Sequence, residues 1–124
     1  MKKINKDHVL LLHQILVKYT GGTDGVRDEN LLESAINTPF VTFDGVALCH
    51  TVQSKAAKLC FGLIKNHPFV DGNKRIGILA MMSFLEENGI RIECGDDELI
   101  TLGLGIADGS IGESAILDFI IEHS

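Results

Sequence analysis

The stretch HPFVDGNKRIGILAMMSFL, His67 to Leu85, has a break at Asn73, and the reading of the fold turns on that break. After it, the run IGILAMMSFL is apolar on every side when wound as a helix, which is the pattern of a helix buried all round. It predicts the central helix of a bundle, starting at Asn73 or Lys74 and closed by Asn88-Gly89 as a C-terminal cap. Before the break, Pro68 keeps the residue ahead of it from continuing a helix comfortably. The upstream helix should therefore stop near Asn66 or His67.

Working outward, the upstream helix runs from about His50, with Val52, Ala56, Leu59, Cys60 and Leu63 on one face. Ahead of it, the stretch from Thr38 to Gly45 alternates aromatic and β-branched residues between a proline and a glycine. It is too short for a sheet and reads as an extended flap or small hairpin, or as a loop that tucks Phe40 and Phe43 into the core. A first helix is expected from about Lys6 to Tyr19, burying Val9, Leu12, Leu16 and Tyr19 with Ile15 beside them, and ending at Gly21-Gly22. Asp28 caps a second helix with the apolar stripe Leu31, Leu32, Ala35 and Ile36. Beyond the central helix, Ile90 to Cys94 reads as a short extended stretch. Two more helices follow, Asp96 to about Ala107 and Glu113 to His123. The fold class is all-α: a compact helical bundle around a buried central helix, with a short flap.

Composition agrees. The 124 residues fit one domain spanning 1–124, large enough to bury a core without disulfides. Hydrophobic residues make up 45%, Trp is absent, and Leu, Ile and Ala outnumber aromatics, which favours packed helices over a sandwich. A net charge of −6 removes the broad cationic field that a nucleic-acid groove requires, so no direct nucleic-acid partner is expected. The three cysteines, Cys49, Cys60 and Cys94, have no C-x-x-C spacing; they read as small hydrophobic fillers in a reducing compartment. Asp7, His8, His13 and Gln14 interrupt the apolar run near the N-terminus, and no stretch approaches the roughly 20 apolar residues of a membrane span. A cytoplasmic protein with no membrane partner is expected.

The chemistry concentrates in the segment from His67 to Arg75. The first N–H groups of a helix lack internal partners and carry about half a unit of positive charge, so a helix opening at Asn73 offers an anion site. Gly72 permits a tight turn and close approach of a ligand, and Asn73 reads as the N-cap. Lys74 and Arg75 put cations in the first turn, against the dipole, at a cost of roughly 0.3–1 kcal/mol each that a bound polyphosphate would reverse. Asp71 faces the same position, which makes sense if Mg²⁺ sits between its carboxylate and phosphate oxygens. Across the loop, the imidazole of His67 is placed to take a proton from an attacking hydroxyl. Phe69 anchors the loop in the core. Singly, His67 is an ordinary histidine, Asp71-Gly72 an ordinary turn and Asn73 an ordinary cap. Their concentration ahead of a buried helix is what points to function.

The segment HPFVDGNKR resembles the signature of the Fic/Doc family, and of its death-on-curing branch in particular, the toxins of toxin–antitoxin pairs. The resemblance extends to GVRDENLLESAI (Gly25 to Ile36), the Pro39-Phe40 flap with Phe43-Asp44-Gly45, AAKLCFGLIKNHPF (Ala56 to Phe69) and FLEENGIRI (Phe84 to Ile92). It covers the chain from about Gly25 to Gly109. It implies an all-α fold, ATP as substrate with Mg²⁺, and transfer of part of the nucleotide to a protein hydroxyl. By the same resemblance His67 is the base, Asp71 the metal ligand, and Gly72, Asn73, Lys74 and Arg75 the nucleotide-binding residues. The flap of Phe40, Val41, Thr42 and Phe43 would dock the target's backbone by strand addition.

Two departures bear on the chemistry. The AMP-transferring branch resembles G-N-G-R-x-x-R, whereas here Lys74 stands at the second glycine and Ile78 at the second arginine. The death-on-curing branch has lysine there and resembles a kinase that moves the terminal phosphoryl group to a Thr or Ser hydroxyl, with elongation factor Tu as target. The kinase is therefore favoured over two alternatives, an AMP-transferase and a catalytically silent nucleotide-binding or interaction module. Cys49-His50 stands where the resemblance leads one to expect tyrosine-proline at the end of the flap. The SFLEEN segment, Ser83 to Asn88, matches the form of an inhibitory motif but reads as a coincidence at a solvated helix end. His50 reads as structural. A cognate antitoxin is implied as partner.

Overall fold

In the computed structural model, which describes residues 1–124, the chain forms α1 (Lys6–Thr20), α2 (Glu29–Asn37), a 3₁₀ turn (Thr38–Phe40), β1 (Thr42–Phe43), β2 (Val46–Ala47), α3 (Val52–Lys65), α4 (Asn73–Glu87), α5 (Asp96–Asp108) and α6 (Glu113–His123). The architecture is all-α with a small flap, and no helix is long and apolar enough to cross a membrane.

The apolar run after Asn73 does form the buried helix. Ile76, Gly77, Ala80, Met81, Phe84 and Leu85 of α4 are buried, and the helix packs on α1, α3 and α5. Each fully buried Met, Phe or Leu contributes roughly 1.5–3 kcal/mol relative to exposure. α4 shares the centre with α3, which packs against α2, α4, α5 and α6 and buries Ala56, Ala57, Leu59, Cys60, Leu63 and Ile64. The two helices approach closely at Gly77, where a Cβ would lie 2.6 Å from Ile64 Cγ1. Burial pushes the Cys60 thiol up to about 12, so this cysteine is an inert filler, as its spacing suggested.

The helix ends follow their local chemistry. Asn5 and Asp28 cap α1 and α2 by accepting from the His8 and Leu31 amides, and Thr51 and Ser54 form a reciprocal capping box on α3. Asn88-Gly89 ends α4 with Gly89 at φ +79. The Ile90 amide donates to the Leu85 carbonyl and the Gly89 amide to that of Glu86, which is a Schellman closure. The Asn88 side chain also donates to the Lys2 and Phe84 carbonyls and accepts from the Lys2 amide, pinning the N-terminal strand of chain to the helix end. Asn88 of the SFLEEN segment is thus a structural clasp.

Three expectations need correcting. On α1 the buried face contains Val9 and His13, while Tyr19 is 82% exposed and Ile15 is also largely exposed. An apolar count ignores a histidine, yet the His13 side chain finds partners for both ring nitrogens and so can be buried. In the flap, Phe40 belongs to the 3₁₀ turn and packs edge-on against Phe84 with ring centroids 5.6 Å apart, so it lies half-buried against the core rather than in the strand. Phe43 does the opposite: it lies in β1, paired with Val46, and is 79% exposed. The hairpin turns at Asp44-Gly45, both at positive φ, as a two-residue turn demands. Finally, Ile90 to Cys94 makes no strand; the Glu93 amide donates instead to the His123 carbonyl.

Candidate functional site

The loop from His67 to Gly72 leaves α3 and enters α4, and each end is held by a different neighbour. At its start, Pro68 disfavours a right-handed helical conformation for His67, and the residue adopts φ +50. For a non-glycine residue this left-handed geometry is strained, by an amount on the order of 1–3 kcal/mol. Arg27 stabilises it. Its Nε donates to the His67 carbonyl at 2.7 Å and its Nη2 to the Asn66 carbonyl at 3.0 Å, while its own amide donates to the Pro68 carbonyl at 2.7 Å. The Val70 amide donates to the Gly25 carbonyl, so residues 25–28 form a backbone brace alongside the loop. The His67 side chain is left exposed.

The middle of the loop is locked from below. Phe69 is buried, and the Asn73 side chain closes a ring with it, accepting from the Phe69 amide at 2.9 Å and donating to its carbonyl at 3.0 Å. This corrects the expected role of Asn73. The N-cap position belongs to Gly72, at φ +78, and Asn73 is the first helical residue, 5% exposed, with its side chain engaged with the loop. What Asn73 can offer a ligand is its main chain.

At the far end, α4 starts with no side chain capping it. The Gly72 amide donates to Asp71 Oδ1 at 2.8 Å, so Gly72 serves through its conformation and small size. Asp71 Oδ2 accepts from the Thr23 amide at 3.3 Å. These two amides, with Arg75 nearby, hold the Asp71 carboxyl below its ordinary range, so it stays ionised. Gly22 has to be a glycine. It sits at φ +110, and a Cβ there would lie 2.6 Å from Asp71 Oδ2. Arg75 is not a free cation either. Its Nη1 donates to Thr20 Oγ1 and to the Gly21 carbonyl at 3.3 Å, at the C-terminus of α1, and its Nη2 lies 3.9 Å from Asp71 Oδ1. Lys74 is exposed.

Above these groups lies a cleft of about 460 Å³, lined by His67, Asp71, Gly72, Asn73, Lys74, Arg75 and Lys65, with Ile64 and Ala107 as its apolar wall. Every residue of the predicted catalytic, metal and nucleotide set lines it. The flap residues Phe40, Val41, Thr42 and Phe43 do not. Lys65 is a third cation that sequence reading passed over, because a lysine ending a helix is unremarkable on its own. Arg27, Thr23 and Gly22 also carried no motif of their own.

No three His, Cys, Asp or Glu side chains converge as a self-sufficient metal site. Magnesium does not require one, since it is commonly held by one or two carboxylates with the remaining oxygens from phosphate and water. Asp71, an ionised hard donor with 48% of its side chain exposed at the cleft, fits that chemistry. The arrangement is thus an open cleft lined by uncapped helical amides, two lysines, an arginine, a carboxylate and an imidazole.

The chain is similar in sequence to known proteins. Residues 3–85 match the family described as the Fic/DOC family. Toxin Doc of Mycolicibacterium smegmatis is 40% identical over 77 residues, covering 62% of this chain and 59% of that protein. Protein kinase doc of Escherichia phage P1 is 27% identical over 120 residues, covering 95% of this chain and 92% of that one. The chain therefore aligns with less than two-thirds of the mycobacterial relative and with nearly all of the phage protein.

Proposed function

The chain belongs to the Fic/DOC family, in its death-on-curing branch, and from that premise we propose that it is the toxin of a toxin–antitoxin pair, acting as a Mg²⁺-dependent protein kinase. It would transfer the terminal phosphoryl group of ATP to a Thr or Ser hydroxyl of a translation factor, with elongation factor Tu as the candidate target. The names of the two relatives, a toxin and a protein kinase, support the class. The observation that carries the reading is the cleft itself, where His67, Asp71 and the uncapped start of α4 face one space.

In this mechanism the triphosphate lies against the main-chain amides that open α4, with Lys74 and Lys65 neutralising its charge. Arg75, fixed by the end of α1, adds a cation of set position. Asp71 would hold Mg²⁺, which supplies further neutralisation at the phosphate oxygens. His67 accepts the proton of the target hydroxyl as the oxygen attacks the terminal phosphorus, and the bond from that phosphorus to the leaving diphosphate breaks. Positive charge placed in advance is the main source of rate in such transfers, and general base catalysis adds about 10²–10⁴-fold. The flap strand β1, with exposed Thr42 and Phe43, remains the candidate docking edge for the target.

Phosphoryl transfer is favoured over AMP transfer by what surrounds Lys74. Its stem and the Ile78 side chain both lie beside Gly103 of α5, 3.7 Å from where a Cβ would be. The lysine stem and the apolar side chain thus face α5 at the start of α4, and position 78 offers no second arginine for a repositioned nucleotide. An antitoxin would neutralise the protein by covering the cleft or its neighbouring surface.

The test uses a bacterial extract with ATP labelled at either the γ or the α phosphate, and wild type beside His67→Ala. Label from γ should appear on a protein, and growth arrest on expression should disappear in His67→Ala. Label retained from α would replace the kinase with an AMP-transferase. Equal growth arrest by both proteins would leave a non-catalytic module.

A further inference from the structure

His13 is the one fully buried histidine of the chain, and the reaction outlined above does not use it. It sits on α1, far in sequence from the loop, yet its ring pairs with Phe69 and Asp71 of the loop and with Asp24 just ahead of the brace. Its ring stacks on Phe69, centroids 3.8 Å apart and planes 11° apart. Nε2 lies 2.8 Å from the Asp71 carbonyl, and since a carbonyl only accepts, Nε2 carries the hydrogen. Nδ1 faces Asp24 Oδ1 at 3.2 Å, a carboxylate oxygen that also only accepts and already takes the Gly25 amide hydrogen, so this second contact is a hydrogen bond only when the ring carries a hydrogen on both nitrogens.

An imidazole in a core is costly unless both nitrogens are satisfied, and an apolar residue would fill the same space at less risk. The ring therefore does something a hydrophobe could not. Its N–H fixes the main chain of Asp71 one peptide before the helix begins. Thr23 and Gly72 donate to the Asp71 carboxylate from either side, so fixing that backbone also fixes where the carboxylate points. We infer that His13, oriented by Asp24 and Phe69, is a positioning residue that aims the Asp71 carboxylate into the cleft. The magnesium half of this inference rests on the kinase reading; the aiming of the loop does not.

Two substitutions separate the ring from its hydrogen bond. His13→Phe keeps the stack on Phe69 and removes the N–H. His13→Gln removes the stack but places an amide N–H three bonds from Cβ, as far out as Nε2. The first readout is amide hydrogen exchange in the free protein. The Thr23 and Gly72 amides should exchange at least about tenfold faster in His13→Phe, with Gln restoring most of the protection, while Ala80 to Phe84 of α4 stay unchanged. The second readout is affinity for ATP with Mg²⁺ and with EDTA. His13→Phe should lose several-fold of affinity in Mg²⁺ and less than about twofold in EDTA, and Gln should recover most of the Mg²⁺-dependent part. Should His13→Phe fail to fold, Asp24→Ala on the exposed loop replaces it, with smaller losses in the same direction.

Unchanged exchange at Thr23 and Gly72, or equal behaviour of the Phe and Gln variants, would overturn the inference. Wild type with no Mg²⁺-dependent ATP affinity, alongside the expected exchange pattern, would sink the kinase reading and leave the aiming of the loop standing.

Discussion

Under the proposed kinase reading, Arg27 would govern the reacting atoms from a distance. Its guanidinium bridges the carbonyls of Asn66 and His67 and so holds the strained backbone from which the imidazole projects. Arg27→Ala should slow transfer on the order of 10-fold or more, because small misplacements of a catalytic group are costly. The KM for ATP should change little, since the phosphate side is built by other residues; steady-state kinetics would separate the two. Lysine should rescue poorly, having no planar fork to span two carbonyls. A second expectation concerns Asp71, whose carboxyl is held below its ordinary value of 3.8 by two amides. A depressed folded-state value means that the ionised form stabilises the fold above the ordinary carboxylate range, and that this contribution is lost as pH falls through the lower value. The difference in Tm between wild type and Asp71→Asn should therefore shrink as pH is lowered from about 6 toward about 3. A difference that grows on acidification would mean the carboxylate is not stabilised as described. Neither Arg27 nor His13 was legible as a site residue, for a physical reason. Arg27 and Nε2 of His13 bond main-chain carbonyls brought close only by the fold, and a carbonyl leaves no trace in side-chain spacing. His67, Asp71 and Lys74 stood out as candidates because their types are concentrated beside a buried helix, and they do line one cleft.

The helices were read from spacing with little error, since caps and apolar periods are local. Asp28, the stop ahead of Pro68 and the Asn88-Gly89 closure lie where their chemistry requires. The faces were harder. The α1 period placed Tyr19 inward because it treated His13 as polar surface, and the pairing that permits a buried histidine comes from other elements. In the flap, alternation gave the hairpin but could not say which phenylalanine belonged to the core. At this scale the close crossing of α3 and α4 yields a prediction. Gly77→Ala puts a methyl group 2.6 Å from Ile64 Cγ1, and Ile64 also lines the cleft. Overpacking of this kind typically costs about 1–3 kcal/mol. Urea unfolding should register that loss with little change in the slope. Full stability in Gly77→Ala would mean the two helices can separate without penalty.

Across the whole molecule, an acidic chain with net charge −6 gathers Lys65, Lys74 and Arg75 around one opening. An isolated concentration of positive charge on a negative protein suits a compact polyanion and not an extended one. The three cations come from the end of α3 and the start of α4, both anchored in the shared core, so the cleft is carried on rigid elements. The proposed activity requires the triphosphate to bind at the start of α4. Titration of the amide-labelled protein with Mg·ATP, followed by NMR, reads this directly. The largest shifts should fall on Gly72, Asn73, Lys74 and Arg75, with His67 perturbed and the α6 amides unmoved. Saturable shifts confined to another surface, or none at millimolar Mg·ATP, would contradict it.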